Sequence, residues 1–156
     1  MEININEASS KECLAYFQAK LDEEAWEAKK AGKLVCWSAS VAPPEMCVAM
    51  DIAMIYPETH AAGAGARKAS QDLLDVAHSK GYNIDICSYA PLPDLVITCN
   101  NICNTLLKWY ENLAKELNIP CIIIDVPFNH TMPVPRHNKA YIADQIRAAI
   151  KQLEDI

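Results

Sequence analysis

The chain lacks the marks of export, membrane insertion or nucleic-acid binding. Its opening, Met-Glu-Ile-Asn-Ile-Asn-Glu, has neither the positive n-region nor the apolar h-region of a signal peptide. No apolar run approaches the roughly 20 residues that cross a bilayer. A cytoplasmic protein is therefore expected. No basic block stands out either: 14 Lys and Arg face 20 Asp and Glu, a net charge of −6 with neutral histidines. That balance disfavours nucleic acid or an anionic membrane as partner. Glycine is scarce, with four in 156 residues, and two of these fall in Gly63-Ala-Gly65-Ala-Arg67. Glycines before a helix let backbone amides approach an anion, but the Walker lysine and serine are missing and the dinucleotide fingerprint is incomplete. The segment reads as a close-packed, small-residue helix start, with a border to a nucleotide-like carrier such as coenzyme A as the weaker alternative.

Also missing is any C-x-x-C pair or histidine cluster, which disfavours zinc because a zinc site needs four N, O or S ligands. His60, His78, His130 and His137 are scattered and read as surface or loop residues. Cysteine, by contrast, is plentiful: Cys13, Cys36, Cys47, Cys87, Cys99, Cys103 and Cys121. An odd set without regular spacing, in a reducing compartment, is expected to stay as thiols. Cys13, Cys36 and Cys121 read as core, since free cysteine packs as a small hydrophobe.

At 156 residues, 51% of them hydrophobic and 22% charged, the chain suits a single globular domain over 1–156. Ser9 or Ser10 can cap a helix reaching about Lys30, with Gly32 as its stop. Lys33 to Trp37 follows as a buried strand, and Pro43-Pro44-Glu45 starts a short helix. Asp51 to Tyr56 reads as a second strand and Glu58 to Lys80 as one long helix ending at Gly81. Asn83 to Cys87 and Asp94 to Thr98 are expected as the third and fourth strands. A helix over Asn104 to Leu117, a strand over Ile122 to Val126 and a last helix over Asn138 to Leu153 complete the pattern. Alternating β-branched runs and amphipathic helices predict a Rossmann-like or flavodoxin-like α/β fold, an open, mostly parallel sheet with helices on both faces. One junction does not fit. Ser88 to Pro93 is too short for a parallel crossover, which takes a dozen or more residues, so the two flanking strands are antiparallel, not adjacent, or joined across a deletion.

If those strands are parallel neighbours, Cys87 and Cys103 share one crevice at the strands' carboxyl ends, where open α/β sheets bind ligands. Asn100-Asn101-Ile102-Cys103 passes from strand to helix, where a thiolate gains from the positive helix end. The asparagines read equally well as loop and cap residues. Glu45 is either a helix-capping carboxylate or a site group, and composition favours the cap.

Five segments together carry a resemblance: Pro43 to Met46, Tyr82 to Tyr89, Pro93 to Cys103, Leu107 to Ala114 and Ile119 to Pro127. They resemble the 2-hydroxyacyl-CoA dehydratase family, in its D-component subunits, whose relatives include benzoyl-CoA reductase subunits and double-cubane cluster proteins. The resemblance implies a subunit of two Rossmann-like halves holding a [4Fe–4S] cluster between them, with Cys87 and Cys103 as metal ligands and a third cysteine from the later half. Only the N-terminal half is matched, so the ligand set in this chain is incomplete, and the segment near 88–93 is shortened where relatives carry an insertion. The implied activity is removal of water from (R)-2-hydroxyacyl-CoA to give an enoyl-CoA by radical chemistry. A low-potential cluster supplies the electron that side chains cannot. Implied partners are an acyl-CoA substrate, a second dehydratase subunit or a second copy of the chain, and an ATP-dependent activator. On the same ground Glu45, Ser38 and Ser40 are candidate catalytic residues, at a strand's carboxyl end near the substrate hydroxyl. The isolated chain is expected to be inactive. Alternatives are a benzoyl-CoA reductase-type or double-cubane electron-transfer protein, and a truncated, non-catalytic α/β module.

Overall fold

The computed structural model describes residues 3–156 apart from Arg67, Asp85, Cys87, Ser88, Tyr89 and Ile102. The chain opens with α1 (Ser10–Lys30), β1 (Val35–Ser38), α2 (Glu45–Ala49) and β2 (Ala53–Ile55). There follow α3 (Pro57–Ala66), α4 (Ser70–Ser79), β3 (Leu95–Cys99), α5 (Asn104–Leu117), β4 (Cys121–Ile124) and α6 (Arg136–Glu154). Ser9 caps α1 as expected: its side chain accepts from the Glu12 amide while the Glu12 carboxylate accepts from the Ser9 amide, a reciprocal capping box. Gly32 and Gly81 stop α1 and α4 with φ of 75° and 88°, a conformation open to glycine at little cost.

The four strands form one parallel sheet in the order β2-β1-β3-β4. Right-handed crossovers on that order put the β1-to-β2 connection on one face and the later connections on the other, the open α/β arrangement expected of the sequence. β1 and β3 are buried throughout, as strands covered on both sides should be. Trp37, Tyr110, Leu113, Ile55 and Ile97 are the large side chains at the centre of the core. At the sheet's amino edge Asp94 accepts from the Val35 amide at 2.9 Å and from Lys29 Nζ at 2.6 Å, tying α1, β1 and the start of β3 together.

Several expectations fail. The helix from Glu58 to Lys80 is two helices, because Lys68 turns left-handed with φ of 57°. The alanine and glycine run before it offers α3 few side chains to bury. Gly63 and Gly65 lie inside α3 rather than before a helix, so their amides belong to the helix ladder and form no anion loop. A Cβ at Gly65 would meet nothing within 4 Å, so close packing does not explain that glycine. No strand runs through Asn83, Ile84 or Ile86, and Asp85 and Cys87 of that expected strand lie outside the described residues. The short Ser88 to Pro93 junction is therefore not a crossover: the link into β3 comes from β2 by way of α3 and α4. Cys36 is core as expected, whereas Cys13 and Cys121 are only half-buried. Cys121 opens the outermost strand and Cys13 lies in the first turn of α1.

Candidate functional site

In a sheet of this order the chain leaves β1 toward β2 and leaves β3 toward β4, in opposite directions, so a crevice opens between the carboxyl ends of β1 and β3. Ser38, Ala39 and Ser40 leave β1 there, with the Ala39 amide extending the ladder to the Ile97 carbonyl at 2.9 Å. Ser38 is buried, and its hydroxyl donates to the Ala39 carbonyl at 3.2 Å. Ser40 is exposed and turns toward α3. Its hydroxyl donates to Glu58 Oε2 at 2.8 Å and its amide to Glu58 Oε1 at 3.3 Å. The Tyr110 hydroxyl, buried at the middle of α5, is shared between the Ser38 carbonyl at 3.1 Å and Glu58 Oε1 at 3.3 Å. Three elements thus converge on one carboxylate. Glu58 is half-buried in the first turn of α3, where a negative group complements the helix macrodipole.

Glu45 stands exposed at the start of α2, outside the hydrogen bonds that join Ser40, Glu58 and Tyr110. Glu58 escaped the sequence reading, which took it as an ordinary helix-start residue. Its partners lie 18 and 52 positions away, beyond the reach of local pattern. The available signal was the repeated Pro-Glu step, Pro44-Glu45 and Pro57-Glu58, each following a strand.

Across the crevice, Cys99 ends β3 buried while Cys103 is exposed at the N-cap of α5. Burial, then the nearby Glu58 carboxylate, push the Cys99 thiol up, which keeps it protonated. Of the two, only Cys103 is exposed to solvent. Cys87, its expected partner, lies outside the described residues. The loop between Cys99 and Cys103 is clamped from the far side. Asn100 Oδ1 accepts from the Val126 amide at 2.6 Å, its amide donates to Asp125, and the Tyr141 hydroxyl donates to Asp125 at 2.5 Å. The Asp125 bond and its charge hold the Tyr141 phenol above its ordinary value.

No group of three or more His, Cys, Asp or Glu side chains able to hold a metal occurs among the described residues. An exposed thiol at the sheet's carboxyl edge fits one ligand of a shared metal cluster, not a complete site. His60, expected at the surface, is nearly buried between α1 and α3, its Nε2 3.0 Å from Asp22 Oδ1. No helix among the described residues is long and apolar enough to cross a membrane.

The family described as 2-hydroxyglutaryl-CoA dehydratase, D-component, matches residues 39–156. The lactoyl-CoA dehydratase alpha subunit of Anaerotignum propionicum is 62% identical over 94% of this chain and 42% of its own length. The (R)-2-hydroxyisocaproyl-CoA dehydratase alpha subunit of Clostridioides difficile is 44% identical over 85% of this chain and 36% of its own. The (R)-phenyllactyl-CoA dehydratase alpha subunit of Clostridium sporogenes is 40% identical over 97% and 42%. The chain thus spans about two fifths of the length of these relatives. The family match runs from the carboxyl end of β1 through the whole crevice to α6, and the chain belongs to the 2-hydroxyglutaryl-CoA dehydratase, D-component family.

Proposed function

We propose that this chain is the α/β half of an (R)-2-hydroxyacyl-CoA dehydratase alpha subunit that binds the substrate's 2-hydroxyl and contributes Cys103 to an iron–sulfur cluster. The observation that carries this reading is the Ser40–Glu58–Tyr110 cluster at the switch point of a chain in this family. An ionised carboxylate offers about four lone-pair sites, and the two donors of Ser40 with the Tyr110 hydroxyl occupy three. The remaining one is left to accept the hydrogen of a substrate hydroxyl. Glu58 rather than Glu45 then takes the carboxylate's part. Ser40 orients it and Ser38 anchors the Tyr110 ring through its carbonyl.

Elimination removes the C2 hydroxyl and a C3 hydrogen as water, with no net redox change. When bound, a [4Fe–4S] cluster would supply and recover the one electron that makes the C3 hydrogen removable. Cys103 would hold it together with Cys87 and a ligand from outside this chain. A carboxylate held as Glu58 is can keep the hydroxyl oriented while it leaves. Completion of the site calls for the rest of the alpha subunit, a second dehydratase subunit and an ATP-dependent activator.

In the assembled dehydratase carrying this chain, Glu58→Gln should lower turnover of a 2-hydroxyacyl-CoA by about 10²-fold or more, the scale of a positioned acid–base group. Glu45→Gln should leave it within about threefold, as expected of an exposed carboxylate in a helix's first turn. Anaerobic reconstitution of Cys103→Ser with iron and sulfide should lose the cluster's visible absorbance. Full iron content in that variant removes Cys103 from the ligand set, and undiminished turnover of Glu58→Gln removes Glu58 from the site.

A further inference from the structure

Between α1 and α3 lies a cavity of about 300 Å³, and Ser40 stands at its edge. Its apolar wall is Leu14, Phe17 and Leu21 on α1 with Ile55 at the end of β2. The three α1 side chains recur at helical spacing on one face, yet 63%, 48% and 40% of their surfaces are exposed. A helix normally buries such a stripe against its own fold. Asp22 is the one carboxylate in the lining, paired with His60 Nε2 at 3.0 Å, and Gln18 Nε2 lies 3.5 Å from His60 Nδ1. Neither lysine nor arginine lines the cavity among the described residues. Ser40 is common to the two: it lines this cavity and its hydroxyl donates to Glu58 at 2.8 Å.

We propose that this groove receives the side chain of the substrate's acyl group and selects uncharged aliphatic or aromatic side chains over carboxylate-bearing ones. The inference rests on the Ser40–Glu58 reading, since a 2-hydroxyl held by Glu58 puts the acyl carbons at the groove's mouth. An apolar side chain entering it covers Leu14, Phe17 and Leu21 and gains from their desolvation. A carboxylate entering it leaves water for apolar walls, meets Asp22 and finds no lysine or arginine to pair with.

The test measures kcat/KM in the assembled dehydratase for (R)-2-hydroxy-4-methylpentanoyl-CoA, lactoyl-CoA and 2-hydroxyglutaryl-CoA. The unaltered enzyme should favour the branched substrate over the glutaryl one by about 100-fold or more. Leu21→Trp, which fills the groove, should lower the ratio of the branched substrate to lactoyl-CoA by about tenfold, the scale of a methylene or two in an apolar pocket. Phe17→Lys should narrow the preference over the glutaryl substrate by about tenfold. Both positions are exposed enough to substitute without loss of fold. If Leu21→Trp is recovered unfolded, Leu14→Trp fills the same groove from two helical turns earlier. Unchanged ratios, or an equal fall for all three substrates as when a polypeptide covers the groove, overturn the pocket. Undiminished turnover in Ser40→Ala and Glu58→Gln overturns instead the site it rests on.

Discussion

Thr98 and Glu58 are two polar groups in one core, with opposite fates. Glu58 draws three donors from β1 and α5, whereas Thr98 Oγ1 is fully buried with no hydrogen-bond partner among the described residues. A buried hydroxyl without a partner costs about 1–3 kcal/mol, and valine fills the same shape without it. Thr98→Val should therefore raise stability by about 1 kcal/mol, seen as a melting temperature about 2–4 °C higher. A lower one would show that the hydroxyl is satisfied in solution. Residue placements of this kind were only half legible in the sequence. Ser38, Ser40 and Cys103 stand out at element ends, but Glu58 looks like any helix-start carboxylate until folding brings Ser40 and Tyr110 against it.

Helix starts and stops follow from local chemistry, and α1 shows how far that goes. The capping box closes within four residues, so it needs nothing from the rest of the fold. Ser9→Ala should cost about 1 kcal/mol. The hydrogen bonds from Ser9 hold the Glu12 carboxyl below its ordinary 4.5. A lowered folded-state value means the Glu12 contribution is whole above about pH 4.5 and fades as pH falls through that lower value. Circular dichroism from pH 6 to pH 3 should show the start of α1 fraying over that window, and Glu12→Gln should remove this component. α3 is the contrary case. A run of small residues from Ala61 to Ala66 carries helix propensity but little surface to bury, so whether it continues into α4 was decided by packing. The left-handed Lys68 ends it.

Across the whole molecule the sheet order does the organising. Placing β1 between β2 and β3 sets the switch point, and with it the meeting of Ser40, Glu58, Tyr110 and the Cys103 loop at one edge. The opposite edge is held by Asp94, which joins α1 through Lys29 and β1 through the Val35 amide. Asp94→Ala removes both bonds and leaves the Val35 amide without its side-chain acceptor. It should cost about 2–3 kcal/mol and lower the melting temperature by about 4–10 °C. A change below 1 °C would mean that the strand ladder alone sets β1 beside β3.

The sequence by itself determined the parallel α/β class, the ends of α1, α5 and α6, and the resemblance to the dehydratase family. Each of these depends on local periodicity, on capping chemistry or on residues contiguous in the chain. It misread Asn83, Ile84 and Ile86 as part of a strand because a short apolar run with alternating character looks the same whether or not a neighbour is free to pair with it. Only the tertiary structure decided which carboxylate bonds Ser40 and Tyr110, which of Cys99 and Cys103 is accessible, and that α1 leaves an apolar groove beside Ser40. Those outcomes depend on contacts between residues far apart in sequence, and no single segment encodes them.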